Sequence, residues 1–347
     1  MATIAAQSLT LMDWARRRGA DDKISMIVEL LSQTNEIFLD MRIKEGNLVT
    51  GNKTTVRTGL PDGTWRMMYQ GILPSKSTTA EITDAAGNLE ASSEVDVDLA
   101  NLNGDANALR ASEVPAFLEG LTQTMATTIF YGSQATNPER FTGLTPRYNT
   151  VNVANAQSAS NVIDGGGTGN TNTSIWIVTW GDMTAHGFFP KGSTVGLQHR
   201  DKGEQLKRNA DNSSYWVYMD WYKWQMGLTV KDWRYVVRIA NIDVALLKTG
   251  TAANLINLLI LGFYRMPTTK SSMSAVQTSD APSINAAMGQ TVIYCNRDIR
   301  VWLDLQAMNK SNVLLSQGEF QGMVVTMFRG VPIRTCDAIL SNEARVV

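Results

Sequence analysis

Residues 105–132, DANALRASEVPAFLEGLTQTMATTIFYG, predict one long amphipathic helix, and a helix of that length obliges the rest of the chain to be arranged along it. Leu118, Leu121, Met125 and Ile129 recur three and four apart and share one face, whereas Glu119, Gln123 and Thr127 lie on another. Asp105 is placed to accept from the free N–H groups of the first turn, and Gly132 stands at the expected C-terminal stop. Pro115 lacks an N–H and crowds the carbonyl four residues back. Either the helix bends there or it begins at Ser112 with Pro115 in its first turn. The sequence before this helix reads mostly as extended, and the sequence after it as sheet with two shorter helices. The helix is then a natural backbone for an elongated subunit.

Upstream, Ser8 or Thr10 caps a short helix through Met12, Trp14 and Ala15 that breaks at Gly19. A second helix begins after Asp21 and Asp22, where Ile24, Ile27, Val28 and Leu31 form an apolar stripe that Ile37, Phe38 and Met41 continue. The nearby sequence offers that stripe no partner, which suits docking on a neighbouring subunit. Residues 53–58 (KTTVRT) and 64–69 (TWRMMY) read as two strands facing each other across residues 60–63, with Asp62-Gly63 as the turn signal. An isolated two-stranded hairpin is marginal in water, so such an arm either moves or lies against another chain. A second hairpin pairs residues 78–83 with 89–93.

Downstream, residues 154–173 carry the glycine run DGGGTG and read as a flexible connection. Residues 174–180 read as a strand and 187–192 as a turn between strands. In the aromatic block at 215–224, strand alternation puts Trp216, Tyr218, Tyr222 and Trp224 on one face and Tyr215, Val217, Met219 and Trp221 on the other. Two apolar faces predict burial on both sides, in the core and at a subunit contact; the competing reading is a platform that stacks bases or sugars. Thr251 caps a helix through Leu255, Leu258, Leu259 and Phe263 that ends before Pro267. Residues 291–295 form a strand, Asn296 caps a helix through Ile299, Leu303 and Met308, and residues 330–339 form a last strand, the alternation of a compact α/β lobe.

Little in the chain points to catalysis. Thirty-one Lys and Arg against thirty-two Asp and Glu give a formal charge of −1, so no overall field attracts nucleic acid or an acidic membrane. His186 and His199 lack the spacing of a zinc motif, no GxSxG elbow occurs, and the glycine run lacks the following Gly-Lys-Ser/Thr of a phosphate loop. Glu94, Asp96, Asp98 and Asp105 do not have the spacing of a calcium loop. Cys295 and Cys336 have no CxxC spacing and read as buried reduced thiols. The N-terminal arginines follow the apolar residues, the reverse of a secretory signal, and the apolar run at 252–264 is too short to span a bilayer. Synthesis in a reducing cytoplasm, no membrane association, no cofactor, no metal and no catalytic residue are the expectations.

Three stretches resemble the major capsid proteins of tailed bacteriophages: LTLMDWARRRGADDKISMIVELLSQTNEIF and KTTVRTGLPDGTWRMMYQGILPSKSTT, similar to podovirus-type members, and YCNRDIRVWL with FRGVPIRTCDAIL, similar to the wider family. The resemblance implies an α/β (α+β) fold with an N-terminal arm at 1–42, an E-loop hairpin at 43–79, a peripheral domain at 80–250 holding the spine helix at 105–131, and an axial domain at 251–347. Because residues 174–194 and 223–244 look like later peripheral strands, the order is expected to be permuted. The implied function is a major capsid protein that assembles through pentamers and hexamers into an icosahedral head around double-stranded DNA. Scaffold, decoration and portal proteins are the implied further partners, and the virion is the location, after synthesis in the host bacterium. Near-neutral charge is compatible with DNA that must slide during packaging. Some relatives link subunits covalently through a lysine and an asparagine; that motif has no match here, so Lys44, Lys53 and Lys76 read as surface charges and assembly as non-covalent. The assembly residues expected are Trp14, Ile24, Ile27 and Leu31 in the arm and Thr55, Val56, Arg57, Trp65 and Met67 in the E-loop. The rival readings are an encapsulin-like shell around protein cargo, and a polymer-binding or hydrolytic module with a groove containing Trp216 and Trp224.

Overall fold

The computed structural model describes residues 9–17, 31–102, 104–209, 211–249, 254–267, 289–308, 315–320 and 323–347. The expected helix start at Asp21 and Asp22, its stripe residues Ile24, Ile27 and Val28, and the caps Ser8 and Thr251 lie outside the described residues. Along the chain run α1 (Leu11–Arg16), α2 (Ile37–Asp40), β1 (Ile43–Glu45), β2 (Gly51–Gly59), β3 (Thr78–Ala85), β4 (Gly87–Asp96), α3 (Val97–Asn101) and α4 (Ala106–Tyr131). Then come β5 (Val162–Asp164), β6 (Asn172–Trp180), β7 (Ala185–Phe189), β8 (Leu197–Arg208), β9 (Ser214–Val230) and β10 (Val236–Asp243). The last elements are α5 (Val244–Lys248), α6 (Leu255–Arg265), β11 (Gln290–Cys295), α7 (Arg297–Met308), β12 (Leu315–Phe320), β13 (Met323–Phe328) and β14 (Val331–Thr335). Two compact units result: one holds residues 88–127 and 196–225 with the chain up to Thr34, the other residues 35–87, 128–195 and 226–347.

The larger unit is built on β6, buried at every residue. It pairs antiparallel with β10 (Ile175 opposite Ile239) and with β11 (Ile177 opposite Ile293), and β11 pairs parallel with β14. Strands flanked on both sides must bury both faces, which is why these segments read as continuous Ile/Val runs. One face packs Ile175, Ile177, Val237, Ile239 and Ile293 against Leu255 and Leu259 of α6 and Ile299 and Leu303 of α7. Asn254 caps α6 by accepting from the Asn257 N–H, and Asn296 accepts from the Asp298 N–H at the start of α7.

On the opposite face of β6, the Trp176 ring sits between Phe130 and Tyr148, 6.2 and 6.0 Å away, and under the Arg238 guanidinium at 5.1 Å. Arg238 pairs with Glu343 at 2.8 Å and donates to Ser174 Oγ and the Tyr148 carbonyl; both charged side chains are at least 95% buried. Tyr131 and Ser174 donate to the same Glu343 carboxylate. Burial and that carboxylate push the Tyr131 hydroxyl well above its ordinary pKa. Three residues after Glu343, Val346 exchanges both backbone hydrogen bonds with the Asn241 side chain at 2.8 Å, so the C-terminal segment is clasped into the core. A second buried pair, Asp40 with Arg334 at 3.2 Å, ties α2 to β14, and Tyr294 donates to the same Asp40.

Several expectations for this unit are corrected. Residues 154–173 are not a flexible connection: β5 pairs parallel with β10, and the Gly165 and Gly167 N–H groups donate to the Ala240 and Asn241 carbonyls. A Cβ on Gly167 would lie 2.6 Å from the Asn241 oxygen, so glycine serves close approach here. Gly187 to Phe189 belong to β7 and not to a turn, because Gly187 pairs with Leu228 of β9 on one side and Ile43 of β1 on the other. Residues 251–347 are not a lobe apart from 80–250: β11 is hydrogen-bonded directly to β6, inside one sheet. The segments at 174–194 and 226–244 belong to that same unit, and residues 128–195 of it precede residues 196–225 of the other unit.

In the smaller unit α4 starts at Ala106 and continues through Pro115, so the alternative start at Ser112 does not occur. Leu121 and Met125 are buried along it, while Leu118 is exposed. Thr10 Oγ1 accepts from the Asp13 N–H and the Asp13 carboxylate accepts from the Thr10 N–H, a reciprocal cap on α1. Both cysteines are free and buried, and burial raises each thiol to about 12, which removes the reactive thiolate.

His186, fully buried in β7, gives a pH signature. Burial first, then Lys44 and Lys231, lower its pKa from 6.5 to about 4. Between those values the unfolded chain binds a proton that the folded chain refuses. The corresponding stability, roughly 3 kcal/mol, is present above pH 6.5 and is lost as pH falls toward 4. His186→Asn is expected to flatten the melting-temperature profile between pH 6.5 and 4; a profile of unchanged slope would assign the acid sensitivity elsewhere.

Candidate functional site

In the larger unit β2 and β3 form a two-stranded arm, in register from Gly51 opposite Ala85 to Gly59 opposite Thr78. Its strands are threonine-rich and β-branched, and Lys53 and Glu81 pair across them at 2.6 Å. The root is anchored. Asn52 Nδ2 donates to Thr229 Oγ1 at 3.1 Å, and Asp84 pairs with Arg147 at 2.7 Å. Arg147 also donates to the carbonyls of Leu228, Thr142 and Gly143, so its guanidinium serves as the bolt of the arm.

This geometry corrects the expected hairpin. Residues 64–69 form no strand and Asp62-Gly63 is not the turn, because β2 takes its partner from beyond residue 77. The second expected hairpin is absent too, since β3 is committed to β2 and β4 pairs with β9. With β1 in the main sheet, the arm proper spans residues 51–85 and not 43–79.

Beyond the strands, residues 60–76 are exposed throughout. Trp65 is 100% exposed and Met67 76%, with Leu60, Met68, Tyr69 and Leu73 beside them. An apolar group of this size left in water marks a surface meant to be covered. Thr55 and Arg57 are exposed and Val56 half-buried on β2. Of the expected arm residues, Leu31 is exposed, and the adjacent Gln33 N–H donates to Glu119 of α4. Trp14 is half-buried and packs against the cluster of Val95, Ala100 and Leu109 within the subunit. Ile24 and Ile27 lie outside the described residues. The sequence reading missed Arg147 and Asp84, which no local motif signals, and it missed Tyr69 and Leu73, which the run MMYQGIL could have indicated.

In the smaller unit the aromatic block lies on β9, paired along its length with β8. One face meets α4: Tyr222 stacks on Phe117 at 5.4 Å and on His199 at 4.9 Å. Arg110 grips Asp220 through two hydrogen bonds of 3.0 and 2.8 Å and reaches Asp201 at 2.7 Å. Those bonds, Asp220's first, raise the guanidinium pKa, and the same contact lowers that of Asp201. On this strand Trp216 is 55% exposed in the subunit. A cavity of about 390 Å³ is lined by Asp96, Asp98, Glu204, Tyr215 and Trp216, without Trp224, and Asp96 is occupied capping α3. Among the described residues no group of three or more His, Cys, Asp or Glu could hold a metal, and no helix is long and apolar enough to cross a membrane.

The family model for the major capsid protein GP7 matches residues 19–347. No curated protein matches the chain. A structure of bacteriophage Epsilon15 is 32% identical, with a TM-score of 0.78 over 100% of this chain and 99% of that one. The capsid of bacteriophage JBD30 is 10% identical, with a TM-score of 0.48 over 89% and 93%. The SrpI encapsulin of Synechococcus elongatus is 11% identical, with a TM-score of 0.41 over 68% and 97%. The family match over nearly the whole chain, and not the mixed α+β fold alone, sets the polymer-binding and cargo-shell readings aside. The chain belongs to the GP7 family of major capsid proteins, the shell-forming proteins of tailed bacteriophages.

Proposed function

We propose that this capsid protein closes into an icosahedral head by pentamers and hexamers, with residues 51–85 as the E-loop laid on a neighbouring copy. The observation that carries this is an anchored root joined to a bare apolar tip. Trp65 and Met67 are fully or largely exposed, and covering them in an assembly stabilises it by about 1.5–3 kcal/mol each. Thr55, Val56 and Arg57 contribute the flank of the same contact, and Leu31 with Ile24 and Ile27 a second contact from the arm at 1–42. In this reading residues 88–127 and 196–225 form the peripheral domain around the spine helix, and the sheet of β6, β10, β11 and β14 forms the axial domain. The head encloses double-stranded DNA, with scaffold, decoration and portal proteins as further partners, after synthesis in the host cytoplasm. Assembly is non-covalent.

Electron microscopy after size-exclusion chromatography tests the proposal. Uniform closed shells that dissociate to a single band in denaturing gels are the expected result. Persistent monomer, even when the protein is produced together with the phage's other head proteins, contradicts it.

A further inference from the structure

The two faces of the β8–β9 ribbon carry opposite charge. Asp201 and Glu204 face α4 with Asp220, whereas Arg200 lies opposite Trp221 and Gln198 opposite Lys223 on the other side. A bulge makes this possible: Lys202 and Gly203 together oppose one residue of β9, and Gly203 takes φ +68, which favours glycine. The extra residue reverses the alternation beyond it, so the carboxylates before and after the bulge stay on the α4 face. The outer face is left with a cage of cations on one indole. Lys202 Nζ, Lys223 Nζ and the Arg200 guanidinium carbon lie 4.9, 5.5 and 5.7 Å from the Trp221 ring centroid.

Three positive charges around one ring repel one another. Only Lys223 has a carboxylate in reach, Glu90 at 3.5 Å, and Glu90 also accepts from Trp221 Nε1. Neither Arg200 nor Lys202 pairs with a carboxylate among the described residues, and both are exposed. The indole holds the cations by its π-face without neutralising them. A ligand that supplies negative charge completes the cage. Three cations gathered at one ring present positive charge more than a free stacking surface, which favours a phosphate over a nucleobase. Glu90, on the Lys223 side, repels a phosphodiester and so leaves the Arg200 and Lys202 side as its approach.

We propose that Arg200, Lys202 and Trp221 form a binding site for the phosphodiester backbone of duplex DNA, read without regard to sequence. This rests on the reading of the protein as the shell around DNA, but its test is independent of shell formation. A fluorescent 20-base-pair duplex is titrated with the full-length unassembled protein at about 20 to 200 mM salt. Each cation that neutralises a phosphate contributes about 0.9 to the slope of log K against log salt. Arg200→Gln with Lys202→Gln should lower that slope by about 1.8 and weaken binding at least tenfold at the lowest salt. The exposed pair Lys191→Gln with Arg345→Gln should change neither. Trp221→Leu, which leaves the cations but removes their platform, should weaken binding by a smaller factor. No binding by the parent protein at low salt, or equal slopes in parent and double variant with unchanged melting temperatures, overturns the proposal. So does displacement of the duplex by an acidic peptide at concentrations where a DNA competitor of equal charge fails, which reassigns the site to an acidic protein partner. Loss of binding in variants that still form closed shells separates this site from the assembly contacts.

Discussion

Glu343→Ala is expected to destabilise the subunit by about 3–5 kcal/mol, because it leaves the Arg238 guanidinium charged, buried and without its counter-ion. The carboxylate also accepts from Tyr131 and Ser174, so the substitution strips partners from two further buried hydroxyls. Against a typical total of about 5–15 kcal/mol, that loss changes the population of folded chains at physiological temperature. Glu343→Gln should fall between the parent and the alanine variant, since the amide keeps an acceptor for Tyr131 or Ser174 while losing the charge. Urea denaturation read by tryptophan fluorescence measures both, with Trp176 under the Arg238 guanidinium as a local reporter. An alanine variant within about 1 kcal/mol of the parent would mean that the pair is replaceable by water, and that the C-terminal segment is held by the Val346–Asn241 bonds instead.

Trp65→Ser combined with Met67→Ser should have the opposite profile. Both side chains stand in water in the subunit, so its melting temperature should stay within the range of surface substitutions, about ±0.5 kcal/mol. Removing the two anchors from each contact weakens it by roughly 3–6 kcal/mol, more than a hundredfold in association constant. Shell formation multiplies that contact over every copy, so the expected result is folded subunit with no closed shells by electron microscopy. Shells at the parent's yield would show that residues 60–76 remain uncovered in the head and that assembly runs through other surfaces. The two variants separate folding from assembly: one should fail in urea, the other only in the microscope.

Much of this was legible in the sequence where the signal is local. The apolar spacing of Leu121, Met125 and Ile129 and the stop at Gly132 located α4 to within a residue, and Asn296 marked the start of α7. The runs at 174–180 and 291–295 were found as strands because two-sided burial leaves them continuously apolar. What failed was pairing at a distance. Asp62-Gly63 is a strong turn signal over four residues, but the register of β2 is set at its root, by Asn52 against Thr229 and Asp84 against Arg147. Those partners lie between 63 and 177 residues away, and no short window contains them. The glycines at 165 and 167 misled for the same reason: they serve the close approach of β10, and without that neighbour they read as a linker. At the candidate site Trp65 and Met67, both exposed in the subunit, were named from the family likeness, whereas a single half-buried aromatic such as Trp14 gives no sign of which further surface it will cover.

The β2–β3 arm is a cantilever. It is clamped where Arg147 bolts Asp84, and its far end carries no hydrogen bond to the main sheet among the described residues. A beam held this way is displaced most at its free end and hardly at all at the clamp. A closed shell requires identical chains to meet at more than one angle, flat between some neighbours and bent between others. In the assembly proposed above, displacement of the tip would let a few threonines and an apolar end take up that mismatch, while the sheet behind the clamp keeps one shape at every position in the lattice.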